Sequence, residues 1–336
     1  MNSSVTATQV APDVAPLVSV IVPCFNEEDV VEAFYRRSAP ILAGIDERYE
    51  IIFVDDGSRD HTAALVLALN GRDPRVKLIA LSRNFGKEIA MTAGLDAASG
   101  EAVVVIDADL QDPPELIPQF VHKWREGYDV VYATRMGREG EGWLKRATAA
   151  AFYRVIRGLT RVEIPADTGD FRLMSRRALD GLNLLRERHR FMKGLFSWVG
   201  FRSTSILYRR EPRFAGNTKW NYWRLWNFAI EGITSFSMAP LQLAGYVGFL
   251  TASFAFLYAL FLIVRTLIYG RDFPGYASIM VTILFFSGVQ LVTLGVIGEY
   301  IGRMFSEVKR RPLYLVQETV GLRPPARFPG GPLGEG

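Results

Sequence analysis

The stretch Val103-Val104-Val105-Ile106-Asp107-Ala108-Asp109-Leu110-Gln111-Asp112-Pro113-Pro114 decides the fold. Four β-branched apolar residues run without polar interruption into an acidic cluster, and a proline pair follows. A strand covered on both faces needs such an unbroken run. Proline suits a first helical turn, where its missing N–H costs nothing. Outward from this stretch the same grammar repeats. Candidate strands are Val18–Pro23, Glu50–Asp55, Val76–Leu81, Ala102–Asp107 and Asp129–Ala133. Helical periods fill Asn26–Gly44, Asp60–Asn70 and Lys87–Ala98 between them. Strand–helix alternation of this kind predicts an α/β domain with a buried, mainly parallel sheet. Ligands of such sheets bind beyond the carboxyl ends of the strands. The polar motifs Asn26-Glu27-Glu28, Asp55-Asp56-Gly57-Ser58 and Asp107-Ala108-Asp109 stand there.

The chain has 336 residues, 49% of them hydrophobic, enough for one large domain and an appendage. The net charge of +4 does not call for a nucleic-acid partner. The single cysteine, Cys24, excludes an internal disulfide and reads as a small apolar residue at a strand end. Residues 1–17 lack a basic region followed by an apolar one, so they read as a disordered leader rather than a signal peptide.

After Glu231 the composition changes. No charged residue occurs from Gly232 to Val264, and none from Phe273 to Gly298. Each run exceeds the roughly 20 residues that cross a ~30 Å hydrocarbon layer. Arg265, Arg271 and Asp272 mark a short connection, so the spans, about 241–266 and 274–299, form a hairpin within 237–302. Lys and Arg are concentrated outside the hairpin, which predicts that both flanks and the α/β domain are cytoplasmic. Trp143–Gly158 and residues 219–236 mix cations with aromatics and read as amphipathic, the second as an interfacial helix. The basic tail, 303–336, is Pro/Gly-rich after Pro312 and is expected to be disordered.

Asp107 and Asp109 end a buried strand, and a turn there can aim both carboxylates at one ligand. Carboxylate oxygens suit Mg²⁺ or Mn²⁺ bridging a diphosphate. Asp55 and Asp56 can accept hydrogen bonds from a base or ribose, or form an Asp-Gly turn capping the next helix, and the roles can coexist, one Asp capping while the other binds. His61, His122 and His189 show no ligand spacing and read as structural.

Together with Val20-Ile21-Val22-Pro23, Arg83-Asn84-Phe85-Gly86-Lys87, Asp167-Thr168-Gly169-Asp170-Phe171-Arg172-Leu173 and Arg213-Phe214-Ala215-Gly216-Asn217-Thr218-Lys219-Trp220, these motifs resemble glycosyltransferase family 2. Within it the chain is similar to the polyprenyl-phosphate glycosyltransferases, over roughly residues 18–315. The resemblance implies a GT-A catalytic domain over 18–218 carrying a C-terminal two-helix transmembrane hairpin. It implies an inverting, divalent-metal-dependent transfer from a nucleotide-sugar, with a UDP-linked donor expected, to a polyisoprenyl phosphate. Such an enzyme is an integral protein of the bacterial inner membrane; a homo-oligomer stays open. Carried onto matching positions, Pro23, Phe25, Glu27, Val54, Asp56, Asp107 and Arg135 would bind the nucleotide-sugar. Asp107, Asp109 and Gln111 would hold the metal. Asp109, Asp170, Arg172, Arg213 and Lys219 would serve catalysis, the last two from a loop closing on phosphates. Part of the family lacks an acid at the place of Asp170, which leaves it as base, as orienting group, or as partner of Arg172 in an ion pair. A lipid monophosphate is already mostly dianionic at neutral pH, its second pKa lying near ~6, so a strong base is not obligatory.

Two rivals stand beside this reading. One keeps the fold and changes the acceptor, although two spans are few for a processive channel. The other is a non-catalytic lipid-carrier-binding scaffold. The sequence names neither the sugar nor the nucleotide.

Overall fold

The computed structural model describes residues 16–136, 168–188, 190, 192–209, 239–269 and 275–322. The α/β part runs β1 (Val18–Cys24), α1 (Val31–Ile45), β2 (Tyr49–Asp55), α2 (Thr62–Arg72), β3 (Val76–Leu81), α3 (Lys87–Ala97), β4 (Ala102–Val105), a 3₁₀ turn (Pro114–Leu116), α4 (Ile117–Arg125), β5 (Val130–Arg135), β6 (Thr168–Ser175), α5 (Arg176–Asn183), α6 (Met192–Trp198) and β7 (Ser203–Tyr208). Two long helices follow, α7 (Ala239–Tyr269) and α8 (Tyr276–Val308), and then β8 (Val316–Val320).

All eight strands form one sheet in the order β7-β5-β6-β4-β1-β2-β3-β8. Its centre is parallel, as the apolar runs predict: β1 pairs with β2 and β4, and β2 with β3. The sheet is nevertheless mixed. β6 is antiparallel to both β4 and β5, and β8 is antiparallel to β3. Alternate side chains of each central strand go to opposite faces. Val20, Val22 and Phe53 pack under α1, α2 and α4. Ile21, Ile52, Val54, Val103 and Val105 pack under α3, α5 and α6. Contact with α3 is close because residue 94 is glycine: a Cβ there would lie 2.3 Å from Ile21 Cγ2.

The boundaries at the two ends of the chain differ from expectation. Leu17 is already buried, its N–H donating to Arg48 O at 2.6 Å. Residues 313–322 of the tail, expected to be disordered, are ordered. Tyr314 is 2% exposed, and β8 lengthens the sheet at the open edge of β3. A free strand edge offers unpaired N–H and C=O groups to any segment that can reach it, which overrides a loop-like composition.

The hairpin is seen as two antiparallel helices. Pro240–Tyr269 and Ser278–Val308 are long and apolar enough to cross a membrane, and no part of their most apolar windows is buried in protein. The segment 219–236, the stretch Trp143–Gly158, Arg213, Lys219 and His189 lie outside the described residues.

Candidate active site

The site begins where β4 ends. Leu110 adopts φ 55, a left-handed geometry rare for a bulky residue, and its side chain is buried. This turn folds the Asp107–Gln111 segment over the strand end. Within it the Gln111 N–H donates to Asp109 Oδ1 at 3.2 Å. β6 arrives from the other side. Its register pairs Val105 with Arg172, and two residues further on the same register sets Asp107 opposite Asp170.

Between the two carboxylates stands Lys87, the first residue of α3. Its Nζ hydrogen-bonds Asp107 Oδ2 at 2.9 Å and Asp170 Oδ2 at 2.6 Å. Asp107 Oδ1 lies 2.7 Å away as an ion contact, outside hydrogen-bonding angles. Burial opposes the charge on Lys87, but the two carboxylates outweigh it and hold the ammonium above its ordinary pKa. Burial likewise pushes Asp170 up, and Lys87 outweighs it, bringing the carboxyl down to about 2. Lys193, on α6, feels burial as a downward shift, opposed by the Asp170 charge.

Arg172 does not pair with the Asp170 carboxylate. Its guanidinium donates to the main-chain oxygens of Gly169 and Asp170, at 2.8 and 3.2 Å, and stacks 3.7 Å over the Phe196 ring. Burial lowers its pKa to about 10. The ion pair of this strand end is therefore Lys87–Asp170, and Arg172 braces the β6 backbone beneath it. Arg135, at the end of β5, donates from Nε to Tyr208 Oη at 3.3 Å, and Tyr208 donates to the Asp112 carboxylate. That relay ties β5 and β7 to the loop carrying Asp107 and Asp109.

Residues 19–182 match the family described as glycosyl transferase family 2, and residues 239–304 match the GtrB C-terminal hairpin. An uncharacterized glycosyltransferase of Synechocystis is 55% identical over 305 residues, covering 91% of this chain and 96% of that one. The SfII prophage-derived bactoprenol glucosyl transferase of Shigella flexneri is 47% identical, covering 90% and 98%. Among solved structures, glucosyl-3-phosphoglycerate synthase from Mycobacterium tuberculosis is a distant likeness: TM-score 0.45, 20% identity, 65% of this chain and 78% of that one. The chain belongs to glycosyl transferase family 2.

The ends of β1 and β2 carry the residues that the resemblance assigns to the donor. Phe25 is exposed, while Pro23 and Glu27 are half-buried, the Glu27 N–H held by Thr62 Oγ1 at 2.9 Å. Val54 is different. Its side chain is fully buried beside Ile21 and Gly94, within the core under α3. Asp56 is buried, with its two oxygens accepting the N–H groups of Phe85 and Gly86 at 2.7 and 2.8 Å. Burial raises its pKa. Asp56 thus fastens the Arg83–Lys87 loop that delivers Lys87. Asp55 holds the turn through the Ser58 N–H at 3.1 Å, and the start of α2 is capped by Asp60, which accepts from Thr62 N–H at 3.1 Å.

The acidic turn fits a divalent cation of the hard, oxygen-liking kind. Asp107 and Asp109 are only partly buried, and Asp170 Oδ1 is a buried oxygen with no hydrogen-bond partner in the described residues. Among those residues no three His, Cys, Asp or Glu side chains gather into a complete cage. Mg²⁺ in phosphate-transfer sites is bound in that way, by one or two carboxylates with substrate oxygens completing the shell.

Lys87 is the site residue missed in the sequence, although it closes the quoted run Arg83–Lys87. Its role depends on two carboxylates distant in sequence. Lys193 carried no signal at all. His61 and His122 sit exposed against Glu28 and Glu126, in keeping with structural roles.

Proposed function

We propose that this chain transfers a glycosyl group, with inversion, from a nucleotide-sugar of the UDP-linked type to a polyisoprenyl phosphate at the cytoplasmic face of the cell membrane. The observation that carries the reading is the convergence of Asp107, Lys87 and Asp170 at the open end of the sheet, in a chain that continues into two membrane-length helices. The bactoprenol glucosyl transferases, similar along nearly their whole length, support the same acceptor.

In the reaction a phosphate oxygen of the acceptor forms a bond to the anomeric carbon. The bond from that carbon to the donor's diphosphate breaks, and its electron pair leaves with the nucleoside diphosphate. The acceptor is mostly dianionic at neutral pH, so the attacking oxygen needs no proton removed. Asp170 accordingly works as a positioning residue, its carboxylate committed to Lys87. The Lys87 ammonium stands where negative charge gathers and is held there before reaction, the arrangement that gives electrostatic stabilisation its strength. Mg²⁺ or Mn²⁺ held by Asp107, Asp109 and Gln111 would neutralise charge on the departing diphosphate. Arg135, Arg213 and Lys219 are proposed to contact phosphates, Arg as a fixed fork and Lys as a mobile point charge. Pro23, Phe25 and Glu27 are proposed to face the base.

The test is to incubate the full-length protein in membranes with labelled undecaprenyl phosphate and a panel of nucleotide-sugars, then identify the lipid product. A polyprenyl-phospho-sugar formed from one UDP-sugar is expected. Sugar appearing on a polymer instead, or no transfer from any donor, would reject the proposal.

A further inference from the structure

The last turns of α8 expose an apolar stripe. Ile301, Met304, Phe305 and Val308 recur at helical spacing, and each is more than half exposed. Glu299, Arg303 and Glu307 share the same turns, so this end of the helix is amphipathic and suits the headgroup boundary of a bilayer. α8 ends at Val308 with Lys309 as its C-cap, and Arg310 then takes φ 47. That position after a helix ordinarily belongs to glycine, because a side chain there is strained. An arginine kept in strain asks what its side chain does.

Beside it opens a cavity of about 580 Å³, lined by Arg186, Arg188, Glu307, Arg310, Arg311 and Tyr314. Four arginines and one glutamate contribute to the lining. Part of this charge is already matched: Arg186 pairs with Asp96 at 2.8 Å, and Glu307 accepts the Arg188 N–H at 2.7 Å. The Arg188 side chain donates to the Arg311 carbonyl, which fixes the rim. Arg310 and Arg311 form no ion pair among the described residues. Two residues on from Arg188, Arg190 is 5% exposed, and its Nε has no hydrogen-bond partner among the described residues. The cavity lies by Asp96, at the far end of α3 from Lys87, about 14 Å along the helix axis. It is thus separate from the catalytic residues.

We propose that this cavity binds the phosphate of an anionic membrane phospholipid whose acyl chains lie along the Ile301–Val308 stripe. Arginine forks match phosphate oxygens, and basic pockets next to a membrane span collect anionic headgroups. A lipid held there joins the end of α8 to the segment after α5, and so sets how the catalytic domain sits on the bilayer.

The experiment uses the full-length protein in detergent micelles, titrated with phosphatidylglycerol, phosphatidylcholine, undecaprenyl phosphate or inorganic phosphate. Bound lipid is counted by native mass spectrometry. Phosphatidylglycerol is expected to be retained at least about tenfold more tightly than phosphatidylcholine, as a basic pocket requires. The double variant Arg310→Gly/Arg311→Gln should lose about thirtyfold, roughly fivefold per cation. Glycine suits φ 47 better than arginine, so the melting temperature should hold or rise, which separates lost binding from lost fold. Arg311→Gln alone, expected to lose about fivefold, repeats the test with the backbone untouched. Equal retention of both phospholipids, or a double variant that binds like wild type, overturns the proposal. Displacement by millimolar phosphate does too, because the site would then read free phosphate. Preferential capture of undecaprenyl phosphate would make it an acceptor site, and an unchanged lipid count with an altered oligomer mass would make the stripe a protein interface; either result also overturns it.

Discussion

The Asp170 carboxylate accepts a hydrogen bond from Lys87 Nζ at 2.6 Å across 83 residues of sequence, and the same ammonium touches Asp107. One lysine therefore links the strand that carries the acidic turn to the antiparallel strand beside it. Replacing Lys87 with Met removes the charge at the reacting phosphates and leaves two carboxylates facing each other. Transfer is expected to fall by about 10²-fold or more, the usual loss for one preorganised electrostatic group. Lys87→Arg should restore stability better than rate, because a planar fork cannot take the place of a compact ammonium between two carboxylates. Initial rates of glycolipid formation, with melting temperatures in parallel, decide this; a Lys87→Met enzyme of wild-type rate would remove Lys87 from the mechanism.

The proposed metal site at Asp107, Asp109 and Gln111 predicts a dependence on divalent cation. Asp109→Asn should reduce transfer by more than about 10²-fold, since it removes an anionic oxygen from a divalent site. Binding can be read without turnover. Relative to nucleoside diphosphate and Mn²⁺ alone, the paramagnetic signal of free Mn²⁺ should diminish further when wild-type protein is added, and not with Asp109→Asn. Full activity in EDTA would overturn the assignment.

Gly57 turns at φ 71, and a Cβ there would lie 2.5 Å from the Arg83 carbonyl carbon. Neither the backbone geometry nor the space admits alanine. Gly57→Ala is expected to cost more than ~1 kcal/mol. It should also slow transfer, because the loop it pushes, Arg83–Lys87, is the one Asp56 fastens and Lys87 ends. A variant that loses stability but keeps the wild-type rate per folded molecule would show that this loop is not tied to catalysis.

The central strands were legible because each is covered on both faces, and that demand writes an unbroken apolar run into the sequence. The acidic turn was legible because it follows such a run. Alternation sends Val54 under α3 and Phe53 to the opposite face of the sheet. The Asp107–Asp170 juxtaposition was not legible. It depends on the antiparallel register of β6, which no local pattern encodes. β8 was hidden for a related reason. Val316-Gln317-Glu318-Thr319-Val320 is polar and brief, and becomes a strand only because β3 offers it an edge.

Tyr314, just before β8, is 2% exposed and donates to Asp96 Oδ2 at 2.8 Å, the acid that also pairs with Arg186. Tyr314→Ala should destabilise the catalytic domain by about 3–5 kcal/mol, as for other large buried rings. Tyr314→Phe should cost roughly 1.5–3 kcal/mol, since the lost hydrogen bond went to a charged group. Denaturant midpoints of the two variants test the order. Equal, negligible losses would mean that the chain after α8 does not support the sheet.

Glu50 supplies a dependence on pH. It is buried at the start of β2, its Oε1 accepting from the Ser19 hydroxyl and from the Ser99 N–H and hydroxyl, at 2.8 and 2.9 Å for Ser99, and its Oε2 from Lys77. Burial alone would raise its pKa; Lys77 and the surrounding donors outweigh burial and hold it below the usual glutamate value. A group depressed in the folded state contributes its stability in full above the unfolded pKa, near ~4.3, and loses it as pH falls through the lower folded value. Glu50 should therefore steepen unfolding in acid below about pH 4.3. Glu50→Gln should flatten that part of the profile and destabilise at neutral pH by about 3–5 kcal/mol, because it leaves the Lys77 ammonium without its partner. Adding Lys77→Met should recover much of the loss, since a buried ion pair replaced by neutral groups of similar volume costs little. The measurement is melting temperature against pH for wild type and both variants. An acid slope unchanged by Glu50→Gln would show that this carboxylate does not titrate with unfolding, and a double variant no more stable than the single one would place the cost in Ser19 and Ser99 rather than in the ion pair.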